Sequence, residues 1–202
     1  MAPPSVRAAI QQEPAGRLVV DRVDLDLPHA GEVRVKLVAS AVCYSDLQVA
    51  AGERPYARPL ILGHEGAGIV EDVGPGVEHV APGDPVILGL AASCGVCRWC
   101  LNDRPVLCNG PAMRAARVGL LPDGTSRARL RGEPVRQYRG VGTFAESVIV
   151  WGSQCVPVGT DVPLDKICLI GCSVLTGVGA AINTARVRAG SSCVVIGCGG
   201  IG

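Results

Sequence analysis

The stretch Gly63-His-Glu-Gly-Ala-Gly-Ile-Val-Glu-Asp-Val-Gly-Pro-Gly76 decides how the rest of the chain is interpreted. We interpret residues 66–73 as a β-strand that ends at the Gly74-Pro-Gly76 turn, because adjacent glycine and proline mark tight turns. His64 and Glu65 come directly before this strand. Two chemically versatile side chains therefore stand at a strand boundary.

Strands are also predicted on both sides of this stretch. Residues 32–39 alternate charged and apolar side chains, which is typical of a half-buried antiparallel strand, and residues 18–27 do so more weakly. Residues 85–88 follow a Pro-Gly-Asp turn, and strands are expected again at residues 143–150 and 155–158. Short strands joined by proline and glycine turns predict a compact β-barrel-like domain.

A short helix is expected immediately after the strand at residues 32–39. Ser45 or Asp46 could cap it, and Leu47 and Val49 would lie along it. Cys43 would then stand at the corner between strand and helix.

The bulk composition is that of an ordinary soluble protein. Of 202 residues, 48% are hydrophobic and 18% are charged, and the formal net charge is +1. Such a balance produces no long-range field toward nucleic acid or an anionic membrane, so we expect neither partner. The N-terminus has no continuous apolar run of the secretory type, and we expect a cytoplasmic protein. The uncharged residues 167–185 contain three glycines, and we interpret them as buried core and helix.

Four of the ten cysteines lie close together in the chain. Cysteines of a cytoplasmic protein stay reduced, so a metal explains them better than disulfides. The pattern CxxCxxCx7C, within a region of 91–142 that we interpret as a loop, predicts a closed structural zinc site. An iron–sulfur cluster is the alternative, although the bacterial spacing CxxCxxCx3CP differs. The predicted ligands are Cys94, Cys97, Cys100 and Cys108.

A second metal site is possible around His64. One histidine with two cysteines, here Cys43 and Cys172, can hold zinc and leave a fourth position open. A lone histidine is more often a core or surface residue, which is our interpretation of His29 and His79.

The C-terminal residues change in character. Residues 172–189 are interpreted as helical and residues 192–196 as a buried parallel strand. The strand would lead into Gly197-Cys-Gly-Gly-Ile-Gly202, a GxGxxG pattern that brings a backbone close to a pyrophosphate. A flexible glycine linker is the alternative.

Taken together, these motifs resemble the medium-chain zinc-dependent alcohol dehydrogenase family. Residues 63–77 are similar to its signature GHExxGx5GxxV, and the cysteines and glycines follow in the family's order from about Val33 onward. The resemblance implies a mixed β/α fold. A GroES-like, β-barrel-type catalytic domain would span residues 1–170. Residues 171–202 would form a connecting helix and the first strand of a Rossmann domain, so that the chain resembles the N-terminal part of such an enzyme.

The resemblance also implies roles for individual residues. Cys43, His64 and Cys172 would hold a catalytic zinc with Glu65 beside it, and the four-cysteine loop a structural zinc. Asp46 would orient His64, and Ser45 would accept the proton of the alcohol. Thr176 would lie against the nicotinamide of NAD or NADP, and the remaining cofactor contacts would come from Gly197, Gly199 and Gly202.

Some positions differ from the better-known members of the family. Gln48 stands where many have a proton-relaying histidine, and Tyr44 where a basic residue often contacts the cofactor. Arg54 and Arg139 fall near pocket positions that are usually apolar, beside Leu90 and Tyr138. We therefore hypothesise a substrate with a negative or additional polar group. The other arginines of residues 114–139 are interpreted as a solvated loop.

The function implied is hydride transfer between an alcohol, aldehyde or ketone and a nicotinamide cofactor. The partner would be a small molecule, and the full-length enzyme would be a homo-oligomer. The alternative is a non-catalytic zinc-binding domain in which only the four-cysteine site is occupied. The number of zinc ions bound per chain, two or one, distinguishes the enzyme from the non-catalytic domain.

Overall fold

The computed structural model describes residues 4–202 and contains ten strands. They are β1 (Ser5–Gln11), β2 (Leu18–Leu25), β3 (Glu32–Ala41), β4 (Leu60–Ile61), β5 (Glu65–Val73), β6 (Pro85–Leu88), β7 (Ala128–Leu130), β8 (Glu133–Gln137), β9 (Ser147–Trp151) and β10 (Cys155–Pro157). The helices are α1 (Tyr44–Ala50), α2 (Pro111–Arg117), α3 (Leu164–Ile167) and α4 (Ser173–Gly179). Single 3-10 turns cover Cys100–Asn102, Pro105–Leu107, Tyr138–Gly140, Gly152–Gln154 and Cys168–Gly171, and a π turn covers Ala180–Thr184.

The strands form a barrel and a second sheet. The closed barrel has the order β1-β2-β7-β8-β4, and β4 completes it by pairing antiparallel with β1 and parallel with β8. The second sheet has the order β10-β6-β5-β3-β9. Its inner face is largely valine, including Val33, Val35 and Val70, which pack with Leu88 in one buried cluster. The predicted barrel-like β domain is confirmed.

Two glycines of the opening stretch are required because backbone passes directly over them. A Cβ at Gly68 would lie 2.2 Å from the carbonyl oxygen of Lys36 on the neighbouring strand β3. A Cβ at Gly74 would lie 1.7 Å from the carbonyl oxygen of His29. Both distances are far inside van der Waals contact, so the glycine spacing of this stretch follows from how closely its strand packs.

Residues 91–142 were expected to be a loop, and that prediction is wrong in part. The segment contains α2 and the hairpin of β7 and β8, which supplies two strands of the barrel. Ala112 and Ala116 of α2 are buried against Ala92, so small side chains anchor a helix whose apolar face is too short to stand out in sequence.

The expected cap of α1 is also corrected. Cys43 occupies the cap position, and neither Ser45 nor Asp46 does. Asp46 lies one turn in, where its carboxylate accepts a hydrogen bond from the Cys43 N–H at 3.0 Å. A carboxylate at this third position satisfies a helix-end N–H group in the same way as a capping box.

The C-terminal predictions are wrong at two points. The helix ends with the π turn at Thr184, short of Ala189, and most of it is exposed rather than core: Leu175 is 60% and Ile182 62% exposed. Residues 192–196 form no strand, because a strand needs a hydrogen-bonded neighbour and none lies beside them within residues 4–202. The expected division after residue 170 stays a prediction.

Among the described residues, no one helix is long and apolar enough to cross a membrane. The segments Leu164–Gly171 and Ser173–Thr184, which meet at 54°, reach that length and hydropathy only when they are counted together.

Candidate metal centres

Three distant parts of the chain converge beside the start of β5. Cys43 precedes α1, His64 directly precedes β5 and Glu65 begins it, and Cys172 separates the 3-10 turn Cys168–Gly171 from α4. One potential ligand atom from each of these four residues lies within 4.8 Å of the others. The structure thus brings together the predicted residues of the second metal site.

Asp46 fixes the orientation of His64. The imidazole Nδ1 lies 3.0 Å from Asp46 Oδ1, and the same oxygen accepts a hydrogen bond from the Gly63 N–H at 3.1 Å. Both side chains are almost completely buried. Because the carboxylate only accepts, Nδ1 donates, and Nε2 is left to face the two cysteines.

The electrostatics around His64 favour a charged site. Burial lowers the pKa of His64, but the hydrogen bond and the charge of Asp46 outweigh it, so that this pKa lies above its ordinary value. Burial raises the pKa of Cys43, but hydrogen bonds from Ser45 and the charge of His64 outweigh it, so that the thiol pKa is lowered.

The protein residues around Cys172 and Glu65 do not fully compensate the negative forms of these two side chains. Burial, followed by the negative charges of Cys43 and Glu65, raises the pKa of Cys172 to about 12. Glu65 is fully buried, and its Oε2 has no hydrogen-bond partner. A cation would remove both conflicts, since it lets neighbouring thiolates and a carboxylate be charged together. The donor set of two thiolates and an imidazole fits zinc with one further position.

Ser45 lies on the same side as these donors. Its Oγ is 3.3 Å from His64 Nε2 and 3.5 Å from Cys43 Sγ. Its predicted role as proton acceptor stays a prediction.

Ser173 was not found from the sequence. Its Oγ donates a hydrogen bond to Glu65 Oε1 at 2.5 Å, and both groups are buried. A serine directly after Cys172 carries no signal of its own, because only the fold places it against Glu65, 108 positions away in the chain.

The second centre is the four-cysteine cluster, and its sulfurs also converge. One Sγ from each of Cys94, Cys97, Cys100 and Cys108 lies within 4.8 Å of the others, with 3.6 Å between Cys97 and Cys100. All four are free thiols. A hydrogen bond from the backbone of Cys100 outweighs burial and lowers the pKa of Cys97 to about 6, whereas burial raises the pKa of Cys100 to about 11. Four sulfurs at these separations fit a closed zinc site.

Of the predicted cofactor residues, Thr176 lies in α4 and the three glycines follow later in the chain. The Oγ1 of Thr176 donates to the Cys172 carbonyl at 2.7 Å, so this hydroxyl is occupied within the helix. Gly197 has φ of +93°, and a Cβ at Gly202 would lie 2.0 Å from the Gly197 carbonyl. The glycine-rich segment therefore makes the tight turn that its pattern requires, although no strand precedes it. Its role in cofactor binding stays a prediction.

Two tyrosines pack beside His64. The ring of Tyr138 is buried and lies edge-on to His64, with 5.2 Å between centroids, and Tyr56 also packs edge-on against Tyr138, with 5.0 Å between centroids. The Arg139 guanidinium carbon is 6.0 Å from the Tyr138 centroid, and Arg139 has φ of +58°. Arg54 and Tyr44 are exposed, and neither position shows a contact that defines a role.

A third group was not anticipated. His29, Glu32 and Asp123 also present closely spaced ligand atoms. Arg127 already lies among them: its Nη2 is 2.7 Å from Glu32 Oε1 and 2.5 Å from Asp123 Oδ2. This guanidinium supplies the positive charge, so the group is an ion-pair network around the buried Arg127 and Glu32 rather than a metal site.

Comparison with known proteins agrees with this geometry. Residues 29–160 match the model of the alcohol dehydrogenase GroES-like domain. An alcohol dehydrogenase zinc-binding domain protein from Burkholderia ambifaria is 33% identical, with a TM-score of 0.87 over 94% of this chain and 51% of its own. Benzyl alcohol dehydrogenase from Acinetobacter calcoaceticus is 29% identical, with a TM-score of 0.82 over 94% of this chain and 51% of its own.

A cobalt- and zinc-bound thermostable alcohol dehydrogenase from Pyrobaculum aerophilum is also similar, with 28% identity and a TM-score of 0.67 over 88% of this chain and 48% of its own. The chain thus spans about half the length of the solved structures that it matches. The matched domain covers more than half of the chain, and it includes Cys43, His64, Glu65 and the four-cysteine cluster. The chain therefore belongs, through its GroES-like domain, to the zinc-dependent medium-chain alcohol dehydrogenase family.

Proposed function

We propose that this chain supplies the zinc-binding catalytic part of an oxidoreductase that transfers a hydride between an alcohol, aldehyde or ketone and a nicotinamide cofactor. The observation that carries the proposal is the convergence of Cys43, His64, Cys172 and Glu65 within 4.8 Å of one another. Two zinc ions per chain are proposed, one at this site and one in the four-cysteine cluster.

The zinc, when bound, would supply Lewis-acid chemistry, which lowers the pKa of a contacting hydroxyl toward about 7. The protein residues divide the remaining work. Cys43, His64 and Cys172 hold the ion, and Asp46 keeps the imidazole in the orientation that presents Nε2. Ser45, with its Oγ 3.3 Å from that nitrogen, accepts the proton of the alcohol.

The residue expected to take the proton from Ser45 is not a histidine in this chain. Gln48, on the same helix, is an amide and does not accept a proton at neutral pH. The proton of Ser45 must therefore leave by a route that does not use the Gln48 side chain. Gly197, Gly199 and Gly202 would hold the pyrophosphate of NAD or NADP, and Thr176 would lie beside its nicotinamide.

The substrate that we propose carries a negative or additional polar group. Support comes from Arg139 and Arg54, whose charges both act on the half-buried Tyr56 hydroxyl, which packs against Tyr138 beside His64. None of the ion pairs within residues 4–202 uses either arginine. Turnover of neutral and anionic alcohols should therefore differ and converge in Arg139→Leu; equal turnover that Arg139→Leu leaves unchanged contradicts this substrate class.

Other partners have less support. Three of the arginines in residues 114–139 already pair with carboxylates: Arg127, Arg129 and Arg131. This pairing favours a structural role for these arginines over nucleic-acid binding. We propose a cytoplasmic protein that takes part in a homo-oligomer as the full-length enzyme. Fractionation and sedimentation of the full-length enzyme test both points.

Metal analysis and an activity assay test the main proposal together. The chain is assayed for zinc content and for NAD and NADP reduction with a panel of alcohols, alone and joined at residue 202 to a dinucleotide-binding domain. Two zinc ions, of which Cys43→Ser removes one, together with hydride transfer by the joined protein, are the expected results. One zinc ion supports the non-catalytic zinc-binding domain instead, and two zinc ions without any hydride transfer contradict the proposed activity. Visible absorption with one-electron reduction would identify an iron–sulfur protein.

A further inference from the structure

Ser173 and Glu65 form a buried pair at the edge of the candidate catalytic centre. The serine is the first residue of α4, and its Oγ lies 2.5 Å from Glu65 Oε1. The serine is 7% exposed and the glutamate is fully buried. A hydroxyl that donates to a buried carboxylate forms a short, charge-assisted bond, which holds one carboxylate oxygen in place.

The other oxygen of Glu65 has no partner. Glu65 Oε2 is buried and receives no hydrogen bond among the described residues. Burying a carboxyl oxygen without a hydrogen-bond partner is unfavourable, so such an oxygen normally faces a group that compensates it. The groups around Glu65 are the donors Cys43, His64 and Cys172, which would themselves hold a cation.

We propose that Ser173 is a positioning residue, which holds Glu65 Oε1 so that Oε2 faces the metal ion as a further ligand. The proposal rests on the proposed function, because it requires an ion at Cys43, His64 and Cys172. Ser173 directly follows the proposed ligand Cys172 in the chain. The same short segment of backbone therefore carries a metal ligand and the hydroxyl that holds the Glu65 carboxylate.

Ser173 also faces the glycine-rich segment. A Cβ at Gly200 would lie 3.5 Å from Ser173 Oγ, which is ordinary van der Waals contact. Ser173 therefore lies close to the turn that we propose for the cofactor pyrophosphate.

Cobalt replacement tests the proposal without any measurement of turnover. The visible d–d absorption of Co²⁺ at the Cys43 site reports its ligands, while the four-cysteine site gives an internal reference. We expect Glu65→Gln and Ser173→Ala to change the Cys43-site spectrum in the same direction and to weaken zinc binding there about tenfold in chelator competition. Ser173→Thr keeps the hydroxyl and should keep the spectrum. Ser126→Ala, which removes another buried hydroxyl, is the control and should leave the spectrum unchanged.

The outcomes distinguish the proposed metal centre from the proposed role of Ser173. If the unaltered protein binds cobalt only at the four-cysteine site, the proposed function fails together with this proposal. If it binds two ions and Glu65→Gln changes the spectrum while Ser173→Ala does not, the positioning role of Ser173 is wrong and the metal centre stands. If neither substitution changes the spectrum or the affinity, Glu65 is not a ligand and the proposal is overturned.

Discussion

Asp46 holds His64 through a 3.0 Å contact between Oδ1 and Nδ1, and its other oxygen accepts the N–H of Cys43. One buried carboxylate thus binds the backbone of one predicted ligand and the ring of another. Gly63, directly before His64, donates its N–H to the same group. The geometry of the candidate catalytic site therefore depends on a residue that need not touch the metal.

We expect Asp46→Asn to weaken zinc binding at the Cys43 site by about 10–100-fold, because the amide has one acceptor oxygen for three N–H donors. Competition with a chromophoric chelator measures the loss. Asp72→Asn is the matched control, since Asp72 Oδ1 accepts only the neighbouring Val73 N–H and should leave zinc affinity unchanged. Equal affinities in Asp46→Asn and the unaltered protein would show that His64 needs no such support.

Removal of metal should make Cys97 the most reactive thiol of the four-cysteine cluster. Its pKa of about 6 means that most of it is thiolate at pH 7, whereas Cys155, buried and with its pKa raised to about 12, stays protonated. Brief iodoacetamide treatment followed by mass spectrometry should label Cys97 after chelation and protect it in the zinc-loaded protein. Cys155 should stay unlabelled in both folded states. Equal labelling of Cys97 with and without zinc would contradict a metal at this cluster.

The sequence was most informative where one local pattern carries one structural requirement. The alternation at residues 32–39 predicted β3, and the segment that ends at the Gly74-Pro-Gly76 turn predicted β5. Ser173 and the hairpin of β7 and β8 were missed because their partners are distant in the chain. The strand expected at residues 192–196 failed for the related reason that a strand depends on its neighbour.

Gly74→Ala tests the close approach that this glycine permits. The new Cβ would meet the His29 carbonyl at 1.7 Å, and backbone must move to relieve the overlap, so we expect a loss of about 3 kcal/mol in the free energy of unfolding. Gly76→Ala is the control in the same turn. Its Cβ has open space, and only its φ of +81° is unfavourable, at about 1 kcal/mol. Urea unfolding of the zinc-loaded proteins measures both, and a smaller loss for Gly74→Ala than for Gly76→Ala would contradict the packing argument.

The network of Arg127 predicts a pH dependence of stability. Burial raises the pKa of Asp123, but hydrogen bonds from Arg127 and Thr125 outweigh it and lower the pKa from 3.8 to about 2. A carboxyl whose pKa falls on folding stabilises the protein fully above its unfolded pKa, and this contribution disappears as the pH falls toward 2. Asp123→Asn should therefore be less stable than the unaltered protein at pH 7, by under about 1 kcal/mol because Asp123 is partly exposed, and the difference should shrink between pH 4 and pH 2. Glu133→Gln, an exposed carboxylate outside the ion pairs of residues 4–202, should show no such trend in urea titrations of the metal-free proteins. A difference for Asp123→Asn that is constant from pH 7 to pH 2 would mean that the charge of Asp123 does not stabilise the fold.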